Sequence, residues 1–331
     1  MRVAGSSTFQ NQYPQKIKPM SAMTKDQLCG IWAALPLPWH PDGSLDQDVF
    51  SRDVARCCMA GVNGVYSGGT TGEFYTQDFD IFAEVNRILV NTAHEHGIPI
   101  QAGCTALDTQ EACRRASFAR NIGADIIQIA LPFWLELDDE EVVDFFKAVA
   151  GVAGSIPLVH YDTGRSKRRI SAKLYQRLVR EVPTLWGTKF GGADLYAVKQ
   201  ITLANPDLKV FVGEHILASA TPMGATGSYS ALVLANPGWI IEYFEACRDR
   251  RWNRAFEIQD EVCLMLSALS AMPTPGLQDS AFDRLFGQLD DFLECPLSCK
   301  APYRSGKASD LEYLHGWTLQ NLPHLLQKVA A

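Results

Sequence analysis

Residues 184–192 read Thr-Leu-Trp-Gly-Thr-Lys-Phe-Gly-Gly, a short apolar run after Pro183 that closes on two glycines. The pattern fits a buried strand ended by a turn. It carries one ammonium, Lys189, near its C-terminal end. Burial disfavours the charged form of an amine, so a lysine there can be neutral near physiological pH and attack a carbonyl. A lysine at a strand's end can equally snorkel to water, and the run alone leaves both readings open. Two other groups suit the same chemistry: the phenol of Tyr161 and the Gly/Thr-rich stretch Gly69-Thr70-Thr71-Gly72-Glu73.

What must position these groups is an alternation that begins near residue 30. Apolar runs lie at 31–37, 64–67, 99–102, 125–130, 157–161, 185–189, 209–213 and 228–232. Each is followed by an amphipathic stretch, at 46–60, 78–95, 108–121, 139–153, 171–180, 195–204, 216–222 and 237–248. Asp108 and Ser171 stand where helix N-caps belong, and Pro237 falls in a first turn. Eight strand–helix units in succession predict a parallel sheet, and eight strands close a barrel. The expected fold is α/β, a (β/α)8 TIM barrel over 26–250. An N-terminal arm over 1–25 precedes it, and a helical extension over 251–331 follows, with helices at 252–269, 276–286 and 308–329.

In such a barrel, chemistry sits where strands end. Those ends carry residues 67–73, 103–105, 132–134 and 161–163, then Lys189, Gly213-Glu214 and 228–230. Lys189 and Tyr161 fall on adjacent strands, with the Gly/Thr loop nearby. An amine, a phenol and that loop make an acid–base and imine-forming set.

The bulk numbers exclude other classes. The chain has 331 residues, 47% hydrophobic and 20% charged, enough for a sizeable core. A net charge of −7 argues against an electrostatic grip on nucleic acid. No apolar run is long enough to span a membrane, and the N-terminus lacks a signal-like apolar core, so neither membrane nor export is expected. Nine scattered cysteines, an odd count without framework spacing, fit reduced thiols in a cytoplasm. Cys295 and Cys299 have no second Cys or His pair near them, which weighs against zinc.

The loop Gly69-Thr70-Thr71-Gly72-Glu73, with Tyr161 and Lys189, resembles the dihydrodipicolinate synthase / N-acetylneuraminate lyase superfamily. The likeness covers roughly residues 26 to 300 and includes the glycines of 224–228 before strand eight. It implies that Lys189 forms a Schiff base with pyruvate or another 2-oxo acid. Tyr161 would move the proton at the hydroxyl made or cleaved. Thr70 and Thr71 would hold the carboxylate, Gly69 would let the backbone approach it, and one of the two threonines would polarise the tyrosine. Thr105, Asp162, Arg165, Glu214, Ser228 and Tyr229, at other strand ends, complete the expected substrate-binding set with Trp134. The resemblance implies no metal and no organic cofactor, small-molecule 2-oxo acid and aldehyde partners, and a homodimer or homotetramer joined through 68–75 and the C-terminal helices. An ordinary turn with capping threonines and a core tyrosine is the plain alternative for these residues.

Departures from the superfamily pattern bear on the substrate. Asp162 follows Tyr161 where an asparagine is usual, and the proline two residues further on is missing. The loop arginine that reads the aldehyde's carboxylate in dihydrodipicolinate synthase proper falls at Ser166, and its tyrosine pair after strand four is replaced by Phe133-Trp134. Both departures argue against that enzyme. Residues 103–109, Pro132-Phe133-Trp134 and Ala301-Pro302-Tyr303 are similar instead to hydratase-aldolases that cleave benzylidenepyruvates. Trp134 would then line a pocket for an aromatic or apolar aldehyde, or else pack under a loop. The basic run Arg165, Lys167, Arg168, Arg169 reads as a solvated loop or a subunit contact. With one arginine in the pocket it would read a second anionic group, favouring a keto-deoxy sugar-acid aldolase or dehydratase. Glu214 would bind a polyol or pair with that run. Two further classes compete. A metal-dependent barrel has only His160, Asp162 and Glu214 to draw on, with His160 aimed outward by strand alternation. A non-catalytic relative has only the altered loop after Tyr161 in its favour.

Overall fold

A computed structural model describes residues 23–326. Eight parallel strands pair in chain order and close on themselves: β1 (Gly30–Ala34), β2 (Gly64–Ser67), β3 (Ile100–Gly103), β4 (Ile126–Ile129), β5 (Leu158–Asp162), β6 (Leu185–Phe190), β7 (Lys209–Val212) and β8 (Ala225–Ser230). A helix follows each strand: α1 (Gln47–Met59), α2 (Phe79–Glu95), α3 (Thr109–Ile122), α4 (Asp139–Ala153), α5 (Ala172–Glu181), α6 (Leu195–Ala204), the short α7 (Leu217–Ala220) and α8 (Pro237–Arg248). The (β/α)8 barrel read from the sequence is the fold observed. The C-terminal helices are α9 (Trp252–Ala268), α10 (Asp279–Gln288) and α11 (Ala308–Asn321).

Local chemistry explains the boundaries. Helices α1 to α6 and α8 each begin on a side chain that accepts a hydrogen bond from an N–H of the first turn: Asp46, Asp78, Asp108, Asp138, Ser171, Asp194 and Asn236. Each such cap is worth about 1 kcal/mol. Helix α7 has no side-chain cap and is four residues long. Among the strands β8 starts earlier than expected, at Ala225 rather than 228. Gly224 before it and Gly227 within it suggest a turn, yet Gly227 pairs with Gly30 so closely that a Cβ there would lie 2.1 Å from the Gly30 carbonyl oxygen. A glycine inside a strand marks this kind of close backbone approach. Helix α10 also starts later than expected, after a stretch containing Pro273, Pro275 and Gly276. Most of the expected arm over 1–25 and residues 327–329 of the helix expected over 308–329 lie outside the described residues. Within them that helix ends early, at Asn321, ahead of a 3-10 turn over Pro323–Leu326 whose proline cannot continue it.

Two apolar layers follow from the two faces of the strands. Trp32, Tyr66, Ile126, Val159, Phe211 and Tyr229 fill the barrel's interior. Ile31, Ala33, Val65, Ile127, Leu158 and many helix residues pack between sheet and helices. The interior aromatics interlock: Tyr229 lies 4.6 Å from Phe211, 5.1 Å from Tyr66 and 5.9 Å from Trp32 between ring centroids. They plug the barrel beneath its C-terminal mouth.

Glu73 ties that mouth to the C-terminal helices. Its backbone sits in the left-handed region at φ 48°, and its carboxylate is fully buried. It accepts from Trp39 Nε1 at 2.5 Å, from the equally buried Arg284 guanidinium of α10 at 2.5 Å, and from the Lys300 N–H at 3.0 Å. A buried ion pair survives desolvation when its remaining valences are met, and here all but Arg284 Nε among the pair's side-chain atoms find partners. Arg284 also donates to the carbonyls of Leu37 and Ser280.

Candidate active site

Lys189 and Tyr161 are direct partners in the β5–β6 ladder, so their side chains leave the sheet on the same, inner face. The Lys189 ammonium lies 4.4 Å from the centre of the Tyr161 ring and donates to the Tyr66 hydroxyl at 2.9 Å. Its distances to the ring centres of Tyr66 and Tyr229 are 5.1 and 5.6 Å. Lys189 therefore points into the barrel and meets three phenols there. The Tyr161 hydroxyl is 3.3 Å from Thr70 Oγ1.

These neighbours shift one another's protons. Burial works against the Lys189 ammonium, but the phenols of Tyr66 and Tyr161 favour it more, and the amine lies above the usual lysine value. Burial works to raise Tyr161, but the Lys189 charge and the Thr70 hydroxyl outweigh it, and this phenol lies below its usual value. Tyr66, fully buried, is raised by that burial against the pull of Lys189. Of the two hydroxyls beside the amine, Tyr161 is thus the one prepared to give up a proton.

A cavity of about 200 Å³ opens from Tyr161 and Thr70. Phe74, Tyr75, Phe133 and Tyr303 give it aromatic walls, with Tyr75 edge-on to Tyr303 at 4.7 Å and Phe74 edge-on to Phe133 at 6.0 Å. Thr105, Arg165, Ser166 and Gln278 supply polar lining. Thr105 Oγ1 accepts from the Ala130 N–H at 3.0 Å, and Ser166 Oγ faces the Leu131 carbonyl at 3.4 Å.

The remaining expected site residues divide. Gly69 lies over Tyr66, where a Cβ would come within 3.0 Å of the ring. Thr71 is buried and its hydroxyl meets Asp283 of α10, a carboxyl that burial pushes up to about 7 against that hydroxyl. Tyr229 lies in the interior plug, donating to Gln101 Oε1 at 2.6 Å, outside the cavity lining.

Four placements correct the sequence reading. Trp134 does not line the cavity: its side chain is 74% exposed, with Lys167 5.7 Å from its ring centre, and Phe133 turns inward instead. Asp162 has the opposite strand parity to Tyr161, so its carboxyl is buried away from the cavity, 3.7 Å from Arg169. Burial raises that carboxyl to about 6, with Arg169 opposing. Glu214 accepts from the Ala231 and Leu232 N–H groups at 2.9 and 3.2 Å, holding the loop after β8. Ser228 is fully buried on the side of β8 opposite Tyr229, again by parity.

His160 faces outward as alternation requires, its Nδ1 2.7 Å from the Tyr175 hydroxyl of α5, and burial drops it to about 3. Among the described residues no three His, Cys, Asp or Glu side chains gather as metal ligands would, and no helix is long and apolar enough to cross a membrane.

Sequence reasoning missed Tyr66, Gln278 and Asp279. For Tyr66 a signal existed, because the inward parity of β2 puts it beneath the Gly/Thr loop. Gln278 and Asp279 lie at the start of α10, about 200 residues from that loop, and nothing local marks them.

Comparison with known proteins places the chain in a family. Residues 27–284 match the Dihydrodipicolinate synthetase family. A 4-hydroxy-tetrahydrodipicolinate synthase of Chelativorans sp. is 30% identical over 271 residues, 81% of this chain and 92% of the relative. Among solved structures, a Ruminococcus gnavus sialic acid aldolase, a catalytic lysine mutant, superposes with a TM-score of 0.83 at 17% identity, covering 92% of this chain and 99% of that one. Dihydrodipicolinate synthase from Aquifex aeolicus gives 0.81 at 20% identity, covering 91% and 100%. At such identities the two structures speak for the fold alone.

Proposed function

Since the chain belongs to the Dihydrodipicolinate synthetase family, we propose that Lys189 forms an imine with pyruvate or another 2-oxo acid, and that the enzyme makes or cleaves the bond joining that acid to an aromatic or apolar aldehyde. Members of the family are lyases and synthases of the class I aldolase type, and this chain is an enzyme of that type.

The observation that carries the proposal is the Lys189–Tyr161 pair: ladder partners, the ammonium 4.4 Å from the ring centre, with Tyr161 lining the cavity and Lys189 behind it. The neutral amine attacks the ketone carbon, and the carbinolamine loses water to give an iminium. The Tyr161 phenolate, having given its proton to the departing water, takes one from the adjacent methyl carbon to leave an enamine, which adds to the aldehyde carbon. Tyr161 supplies the proton to the aldehyde oxygen, through a hydroxyl held by Thr70. Water hydrolyses the iminium and frees Lys189. Run backwards, Tyr161 takes the hydroxyl proton and the carbon–carbon bond breaks. Thr70 and Thr71 take the pyruvate carboxylate. The Lys189 ammonium, held above the usual lysine value by the two phenols despite its burial, gives its proton before attack to the Tyr161 phenolate, the form that the lowered value of Tyr161 favours.

The aromatic walls support an aromatic or apolar partner. Phe133 carries no hydroxyl for a proton relay, and Ser166 cannot read a carboxylate as an arginine does. Both features argue against dihydrodipicolinate synthase proper. Arg165 in the wall is the one feature that favours a sugar-acid partner. The test is borohydride reduction in the presence of pyruvate. The protein should gain the mass of a reduced pyruvyl group at Lys189 and lose activity irreversibly. Full activity after that treatment, or label on another lysine, would sink the proposal.

A further inference from the structure

We infer that Asp279 sets the charge of the aldehyde partner: it holds Arg165 as an ion pair at the outer end of the cavity, and so selects a neutral or hydroxylated aldehyde over one bearing a carboxylate. The inference rests on the imine chemistry proposed above and concerns the other substrate of the same site.

Of the basic run after β5, Arg165 alone reaches the cavity lining. Lys167 donates to the Trp134 carbonyl, Arg168 to the Leu137 carbonyl and Asp139, and Arg169 to the carbonyls of Asp162 and Gly191. Arg165 is not free to act as a lone cation. Its Nη2 donates to Asp279 Oδ2 at 2.9 Å, from the first turn of α10 and directly beside the lining residue Gln278. A guanidinium has five N–H donors, so a contact through one nitrogen leaves others for an incoming acceptor. The charge is another matter. With Asp279 in place the outer end is close to neutral. A substrate carboxylate at Arg165 would have to share one cation with a second carboxylate, and like charges at one site raise the energy of both. A hydroxyl, ether or amide oxygen meets no such repulsion. The other outer walls are Phe133, Tyr75 and Tyr303, which offer a carboxylate no second positive partner.

The pair is about half exposed, 56% for Arg165 and 48% for Asp279, so in the empty enzyme water screens it. An aldehyde filling the cavity displaces that water, and the discrimination is felt in the complex, where it matters for turnover.

The test compares kcat/KM for pyruvate condensation with two aldehydes of one shape, 4-formylbenzamide and 4-formylbenzoate, alongside succinic semialdehyde and its amide. The full-length wild type should favour the uncharged member of each pair used, by about tenfold or more. Asp279→Asn should narrow that preference by about tenfold, chiefly by improving the carboxylate substrate, and Asp279→Glu should keep it. Raising ionic strength to about 0.5 M should weaken the wild-type preference, which checks the electrostatic origin without a variant. Equal use of both members by the wild type overturns the inference. So does an unchanged ratio in Asp279→Asn, or failure of the wild type to use either neutral aldehyde. Borohydride trapping with pyruvate alone separates the two levels. If trapping at Lys189 fails, the lysine chemistry beneath the inference has failed. If it succeeds in every variant while the ratio stays fixed, only the role of Asp279 falls.

Discussion

Behind the inner end of the cavity, which Tyr161 of β5 marks, Lys189 and Tyr66 stand on β6 and β2; the β5–β6 ladder fixes Lys189 against Tyr161, and a side-chain hydrogen bond ties Lys189 to Tyr66. At the outer end Arg165, Gln278 and Tyr303 stand on a loop, the start of a helix and an irregular segment. The inner end is held by the closed sheet and can change little without loss of the barrel. The outer end is assembled from pieces far apart in the chain and can vary while the strands stay as they are. Under the proposed function, the imine chemistry rests on the strands together with Thr70 of the Gly/Thr loop, the Arg165 and Asp279 charges also reach Tyr161, and the choice of partner rests on the loops and on α10. Glu73 joins the two, since it ends the Gly/Thr loop and is gripped by Arg284 of α10.

The sharpest way to break this division is at the inner end. Lys189→Ala should lower turnover by on the order of 10⁴-fold and abolish borohydride labelling by pyruvate, because among the described residues no lysine lines the cavity to form the imine in its place. The thermal midpoint should fall modestly, since the phenols of Tyr66 and Tyr161 favour the ammonium more than burial disfavours it. Residual turnover within tenfold of wild type would mean that the inner end is not where the chemistry happens.

The joint between the ends comes next. Arg284→Met leaves the Glu73 carboxylate buried without its cation and should cost roughly 3–5 kcal/mol in urea denaturation. Combining it with Glu73→Gln should recover part of that loss, because the stranded charge is gone. A cost below about 1 kcal/mol for the single change would show that Glu73 is held by its other donors, and that α10 is not fastened through this pair.

Much of the inner end was legible because strands have a period of two. Alternation puts His160 outward and Tyr161 inward, and the ladder then brings Lys189 alongside. The same rule, carried one residue further, places Asp162 outward, and its place in the expected substrate set ignored that step. Tyr66 was available by the same arithmetic. The outer end was not legible, because loops have no period. Phe133 and Trp134 are adjacent aromatics after β4, and nothing in their sequence says which ring turns inward. Arg165 and Asp279 lie 114 residues apart and meet only through the fold. The start of β8 was missed because Gly227 reads as a turn until Gly30 is seen against it.

Asp162 sharpens the comparison within one strand, since it shares β5 with Tyr161 but faces the helices. Burial raises its folded pKa to about 6, whereas an unfolded aspartate titrates near about 3.9. Between those values the folded chain holds a proton that the unfolded chain has released. Stability from this group is therefore present below about pH 4 and lost as pH rises through 6. Asp162→Asn should match wild type near pH 4 and exceed it by about 2–3 kcal/mol at pH 8 in chemical denaturation. If the difference between the two proteins is the same at both pH values, the carboxyl is not titrating in the folded chain as its burial requires.

The smallest expected effect sets the neighbours Phe133 and Trp134 against each other. Phe133 turns its ring into the cavity against Phe74, so Phe133→Ala removes a wall where an aromatic aldehyde would lie. It should raise KM for benzaldehyde-type partners by about tenfold, with the pyruvate-trapping rate unchanged, since the inner end is untouched. Trp134 is largely in water, and Trp134→Ala should shift both stability and kcat/KM little, by less than about 0.5 kcal/mol in each. A large loss with Trp134→Ala and none with Phe133→Ala would reverse the assignment of the two rings. The loop after β4 would then have to turn over when substrate binds, and the outer end would be less fixed than the cavity's aromatic contacts imply.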